Sequence, residues 1–182
     1  MLIIRNRIIL FFLLFVTTFS AMAWNHGISI GYGGGSDINH HNNTNSGAFL
    51  SAEILPIKQK SWLNMTFNGS LGQFYSTAAK NKNLFTTALS LAFRFYGFQS
   101  LSTHPFFLIS AGPAYLSSRK FGDNNQAANF AFQSVIGTGV EIGQKNRADL
   151  NVRLVHYSNA YTMKPNQGFN IFYIVSLGYL FS

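Results

Sequence analysis

The 182-residue chain contains no cysteine, which excludes disulfide staples and thiolate metal sites. Charge is scarce as well. Asp, Glu, Lys and Arg make up 10% of residues, against roughly 25% in ordinary soluble domains, so a normally solvated surface cannot be built from this composition. Long disordered and coiled-coil readings fall for the same reason. Acids are scarcest, five against thirteen Lys and Arg, leaving a net charge of +8. A basic stripe along one element would invite nucleic acid. Here the cations stand singly or in close pairs between apolar segments, as at Lys58 and Lys60, Lys80 and Lys82, and Arg119 and Lys120. That scatter argues against a nucleic-acid partner and suits anionic lipid headgroups. Long apolar runs are missing too: after Ala23 none approaches the length of a membrane-spanning helix. What is plentiful is hydrophobic residues at 47%, aromatics at 16% and 16 glycines. These favour a β-rich chain whose apolar surface faces something other than water.

Residues 1–23 read MLIIRNRIILFFLLFVTTFSAMA. Arg5 and Arg7 precede an apolar core over 8–16, and the segment closes on Ala21-Met22-Ala23. This is the order of a secretory signal peptide, with a core too short to span a bilayer. The expected mature chain starts at Trp24 and forms one domain over 24–182.

Period-two alternation recurs after the signal. Over 83–96, Phe85, Thr87, Leu89, Leu91, Phe93 and Phe95 share one face while Thr86, Ala88, Ser90, Ala92 and Arg94 share the other. The same reading gives strands near 27–33, 46–54, 61–72, 84–96, 104–116, 128–142, 147–158 and 169–181. An even set of strands, oily on one face and small or polar on the other, predicts an all-β fold, an eight-stranded antiparallel transmembrane β-barrel. In the last strand, strict alternation places Phe169, Ile171, Tyr173, Val175, Leu177, Tyr179 and Phe181 on the lipid side. A soluble sandwich would have to bury such faces against a second sheet, which the shortage of charge disfavours.

Connections alternate in length. Segments 33–46, 73–82, 117–126 and 159–168 are long and polar, while 56–60, 97–103 and 143–146 are shorter. With the N-terminus on the periplasmic side the long set is extracellular, and it carries Lys80, Lys82, Arg119, Lys120 and Lys164 against only Asp37 and Asp123. Such loops can meet lipopolysaccharide phosphates or simply be solvated. His40 and His41 lie in the first of them; with only Asp37 nearby, a flexible polar loop is expected, not a metal site.

Segment 147–158, RADLNVRLVHYS, carries the chemistry. Arg147, Asp149, Asn151 and Arg153 should face a polar interior and pair there with each other and with Glu141. By parity His156 and Ser158 face outward at the far end of the strand. They are neighbours on one face, about 6.6 Å apart along the backbone, close enough for Oγ to reach an imidazole nitrogen. Two interfacial polar residues that merely end the oily face are the competing account.

The run Arg153-Leu154-Val155-His156-Tyr157-Ser158-Asn159-Ala160, followed by Pro165-Asn166-Gln167-Gly168, resembles the active-site segment of the lipid A 3-O-deacylases, the PagL family. The resemblance implies a small barrel of the bacterial outer membrane that hydrolyses the ester-linked acyl chain at the 3 position of lipid A. It implies Ser158 as nucleophile, His156 as general base, Asn166 as oxyanion donor and Asn159 as the residue that orders the turn after the strand. No metal or organic cofactor is required. The expected partner is outer-leaflet lipopolysaccharide in the surrounding membrane, with a second copy of the chain as a candidate protein partner.

Two departures stand out. The family has a glutamate twelve residues after the serine, and that position is Asn170 here. An amide oxygen can fix the histidine tautomer without supplying charge, as in Ser–His–Asn arrangements resembling that of outer-membrane phospholipase A. Strict alternation would also point Asn170 inward, away from His156, unless a bulge beside Gly168 reversed it. Tyr161 stands where close relatives often have glycine. A catalytically silent barrel and an outer-membrane phospholipase are therefore the alternatives to the deacylase reading.

Overall fold

The alternation produces long strands in the computed structural model of the chain, which describes residues 26–37, 39–97, 102–144 and 147–181. The expected signal segment lies outside the described residues. In chain order the strands are β1 (His26–Ser36), β2 (Thr44–Lys60), β3 (Leu63–Ser76), β4 (Asn83–Tyr96), β5 (Thr103–Leu116), the two-residue pair β6 (Lys120–Phe121) and β7 (Asn124–Asn125), β8 (Phe130–Ile142), β9 (Arg147–Ser158) and β10 (Phe169–Phe181). All but β6 and β7 close into one antiparallel barrel of eight strands, in which β10 returns to pair with β1. Closure removes sheet edges, so backbone polar groups are satisfied even where no water reaches them.

Period two then decides what each wall carries. Ile30, Phe67, Leu89, Ile109, Ile136, Leu150, Val175 and Leu177 are all exposed and encircle the outside. An apolar belt of this extent is matched by hydrocarbon, not by water. Aromatics such as Trp62, Tyr115, Tyr161 and Tyr179 are exposed nearer the rims.

The interior is packed in layers. Toward the long loops it is apolar: Phe74, Tyr157, Phe169 and Phe121 stack in series, with centroid separations of 6.1 Å, 5.2 Å and 5.2 Å. Phe121 comes from the β6–β7 hairpin, which folds into the barrel mouth and was not foreseen within the 117–126 loop. Hydrogen-bonded polar side chains follow. Arg153 donates to Ser51 and Ser29 at 2.9 Å and 3.1 Å, and Gln133 donates to Tyr157 Oη at 2.8 Å.

At the short-turn end a charged cluster fills the lumen. Arg94 pairs with Glu53 at 2.6 Å, Glu141 at 2.6 Å and Asp149 at 2.7 Å, and Arg147 joins Glu141 at 2.8 Å. Arg147, Asp149, Asn151 and Glu141 thus meet in the interior as the sequence suggests, but the hub is Arg94 from β4, stacked 4.7 Å over Phe106.

Three expectations need correction. Segment 56–60 is not a turn; it continues β2, which bulges twice against β3 and turns only at Ser61 and Trp62. The first polar loop is tied down, with Asp37 N–H donating to Asn43 O and Asn43 N–H to His40 O, both at 2.8 Å. Most consequential, Phe169 and Ile171 do not face lipid but are buried inside at 2% and 0% exposure. The reason is a register shift in β10: Ile171 pairs with Val155, yet Ile174 pairs with Arg153, so one extra residue is accommodated opposite Leu154.

The charge cluster generates a stability prediction. Arg94→Met leaves Glu53, Glu141 and Asp149 buried without their shared cation, and breaking such a buried arrangement costs about 3–5 kcal/mol. Urea unfolding of the barrel in detergent should show a clearly lower midpoint; a native midpoint would contradict this role.

Candidate active site

β9 presents Leu150, Val152, Leu154, His156 and Ser158 on its outer wall, since Asn151, Arg153, Val155 and Tyr157 are buried inside. His156 and Ser158 are half-buried at the long-loop end of that wall. Both therefore project outward, as parity requires.

Opposite them the β10 shift acts. Below it Tyr173, Val175, Leu177, Tyr179 and Phe181 are exposed on the outer wall. Above it the parity is reversed, so Phe169 and Ile171 enter the lumen and Asn170 faces outward, in register with His156. The strict alternation that would point Asn170 inward is thus reversed. The bulge that reverses it lies at Phe172 and Tyr173, not beside Gly168. Tyr173 takes a left-handed backbone with φ 53°, the local cost of the extra residue. Gly33 on β1 makes room for it: a Cβ there would lie 2.4 Å from the Tyr173 carbonyl oxygen.

The result is a direct bond, His156 Nδ1 to Asn170 Oδ1 at 2.6 Å. With the amide oxygen accepting, the ring proton sits on Nδ1 and the Nε2 lone pair is free. Ser158 Oγ accepts from the Ala160 amide at 3.4 Å, and among the described residues no hydrogen bond joins it to the ring. Serine–histidine contacts in hydrolase sites are often long before substrate binds.

The 159–168 loop is built around two asparagines. Asn159 Nδ2 donates to the Met163 and Pro165 carbonyls at 2.9 Å and 3.2 Å, while Thr162 Oγ1 donates to Asn159 O at 2.7 Å. Asn159 N–H donates to Asn166 Oδ1 at 2.9 Å. That engages the oxygen of the Asn166 amide and leaves its NH₂ as the donor. Ala160 and Tyr161 both adopt positive φ, 51° and 59°, which accounts for the suitability of glycine at the Tyr161 position.

Gly168 packs directly against the His156 ring. A Cβ at this position would lie 2.6 Å from His156 Cε1 and 3.0 Å from the Tyr157 carbonyl oxygen. The structure therefore joins His156 to Asn170 and Asn159 to Asn166 at the long-loop end of β9 and β10, where Ser158 ends β9. It also shows what residue patterns did not reveal: Gly168 packs against the His156 ring, and the bulge expected beside it lies further along β10. Among the described residues no group of three or more His, Asp or Glu is placed to hold a metal.

A family model described as Lipid A 3-O-deacylase (PagL) matches residues 13–179. The chain belongs to this family. A PagL relative, the lipid A deacylase PagL of Pseudomonas aeruginosa, is 33% identical over 85 residues, 45% of this chain. The matched stretch spans about half of that relative's length, 48%. The crystal structure of the outer membrane enzyme PagL superposes with a TM-score of 0.59 at 23% identity, covering 87% of this chain and 99% of the other, a likeness of fold.

In this PagL-family barrel, Gly168→Ala should displace the imidazole while leaving the strands paired. In protein labelled with ¹⁵N-histidine, the His156 Nδ1 proton resonance should shift from its native position. An unmoved resonance would show that the ring has room the structure does not give it.

Proposed function

We propose that the protein is a serine esterase of the bacterial outer membrane that removes the 3-position ester-linked acyl chain of lipid A. The observation that carries this reading is the Nδ1–Oδ1 bond at 2.6 Å, which orients an outward-facing imidazole beside an outward-facing serine. Export follows from the N-terminal signal, removed after Ala23. The apolar belt sets the barrel in the bilayer, and the site then lies near the headgroup boundary, where acyl-ester bonds of outer-leaflet lipid sit.

Ser158 Oγ attacks the acyl carbonyl carbon while His156 Nε2 takes the hydroxyl proton. The oxyanion of the tetrahedral intermediate accepts from Asn166 Nδ2. Collapse breaks the bond to the sugar oxygen, and His156 returns its proton to that alkoxide. Water, activated by the same ring, then hydrolyses the acyl-serine and releases a fatty acid. Lys80, Lys82, Arg119, Lys120 and Lys164, all exposed at the long-loop end, are available to the lipid's phosphates.

Asn170 does part of a carboxylate's work. It holds the tautomer but supplies no negative charge to the imidazolium. In the serine-protease triad an aspartate-to-asparagine change lowers kcat about 10⁴-fold, chiefly through the wrong tautomer. Here the amide oxygen faces Nδ1, so the tautomer part of that loss is avoided and the missing charge remains.

Mass spectrometry of lipid A from cells making the native protein should show loss of one acyl chain, and Ser158→Ala should abolish it. Unaltered lipid A at good expression would leave a silent barrel, and acyl loss from phospholipid instead would mark a phospholipase. Asn166→Ala should slow turnover about 100-fold or more, the usual cost of one oxyanion donor. Asn170→Glu should raise turnover at least about tenfold, because a carboxylate adds charge stabilisation to a ring already aligned. An unchanged or slower rate would show that the site is built for the amide.

A further inference from the structure

Above the β10 bulge the strand loses one neighbour. Among the described residues, pairing between β1 and β10 extends only to Tyr32 and Val175, so residues 169–171 have β9 as their one paired strand. Their carbonyls on the β1 side need donors. Two asparagine side chains provide them: Asn45 Nδ2 donates to Asn170 O at 3.4 Å, and Asn39 Nδ2 donates to Gly168 O at 2.9 Å. These carbonyls flank Phe169 and fix the backbone that aims Asn170 at His156.

Both asparagines converge on one buried carboxylate. Asp37 is 1% exposed. Its Oδ2 accepts from Asn45 Nδ2 at 3.3 Å and, over a shorter contact, from Asn124 Nδ2. Its Oδ1 accepts from the backbone amides of Asn39 and His40 at 2.9 Å and 3.2 Å. Asn124 Oδ1 in turn accepts from Asn39 Nδ2 at 2.7 Å. Among the described residues every partner of the Asp37 side chain is a donor, a set that a carboxylate meets with both oxygens and an amide does not. An asparagine at this position would turn its NH₂ toward other donors.

We propose that Asp37 is a positioning residue for the active site: through Asn45, Asn39 and Asn124 it replaces the missing strand beside β10 and holds Asn170 against His156. The acid absent from position 170 is thus matched by an acid that acts on the same residue from inside the barrel mouth. The inference rests on the deacylase reading for its kinetic consequence but not for its structural one.

The test uses the full barrel refolded in detergent, with Asp37→Asn, Asn170→Ala and the double variant. In ¹⁵N-histidine spectra the native His156 ring should show one tautomer, Nδ1–H, and Asp37→Asn should show exchange between both. Lipid A deacylation should show kcat lowered about tenfold or more by Asp37→Asn, with KM within about threefold, as expected of lost alignment and not lost substrate contact. The double variant should be no slower than Asn170→Ala alone, because the two act through one contact. A native ring spectrum in Asp37→Asn overturns the proposal whatever the rate does, and so do losses that multiply in the double variant. If the native protein deacylates nothing, the hydrolase reading fails and the ring spectrum alone decides this one. Should Asp37→Asn not refold, Asn45→Ala takes its place with the same expected tautomer exchange, and an unchanged ring again overturns the proposal.

Discussion

In a closed sheet every side chain must choose the lumen or the outer wall, and β10 has to make both choices along one strand. Its lower part pairs with β1 and β9 and must offer Val175, Leu177 and Tyr179 to the outside. Its upper part sends Phe169 and Ile171 inward, and Phe169 lies there between Tyr157 and Phe121, its ring centroid 5.2 Å from each. One extra residue reconciles the two demands. The same insertion delivers Asn170 to the outer wall, so the packing of the mouth and the orientation of the imidazole are solved by one irregularity.

The interior divides its labour by depth. Aromatic packing beneath the long loops gives the site a rigid floor: Tyr157 lies between the outward His156 and Ser158 in sequence and is anchored inside by Gln133 at 2.8 Å and Thr86 at 2.9 Å. The ion cluster around Arg94 lies at the opposite end, among Glu53, Glu141 and Asp149. Fixing alternate residues of β9 from the lumen restricts where the intervening ones can point, which is how the proposed site on the outer wall can be preorganised from inside the barrel. The loops complete it from above. Gln126 pairs with Asn166, and Pro165 and Gln167 bond to Ala127 and Asn125, so the β6–β7 hairpin braces the loop that carries the proposed oxyanion donor.

Much of this was legible in the residues, and the illegible parts share a cause. The barrel, its strand number and the outward orientation of His156 and Ser158 follow from period two, because alternation recurs along the chain and the apolar set of β9 is unambiguous. Arg94 could be assigned to the inner face by the same parity, but its partners on β2, β8 and β9 depend on register, which no single strand encodes. The bulge was the harder case. Phe169 and Ile171 are apolar and fit either wall, so composition cannot mark where parity reverses; only the conflict between Asn170 and His156 signalled that a reversal was needed, and the position it suggested, beside Gly168, falls short of the shift between Ile171 and Ile174. Asp37 was visible as a lone acid, while its role depends on Asn45 and Asn124, distant in sequence.

The account turns on Asn170 standing opposite His156. An uninterrupted register running up from Ile174 and Arg153 would instead set Ile171 opposite His156. The chain has no native cysteine, so paired substitutions read the register without background. Directly opposed residues of antiparallel strands lie within disulfide range. After mild oxidation, mass spectrometry should find a disulfide in His156→Cys with Asn170→Cys and none in His156→Cys with Ile171→Cys. The opposite pattern would place Asn170 in the lumen and remove the basis for an aligned catalytic histidine.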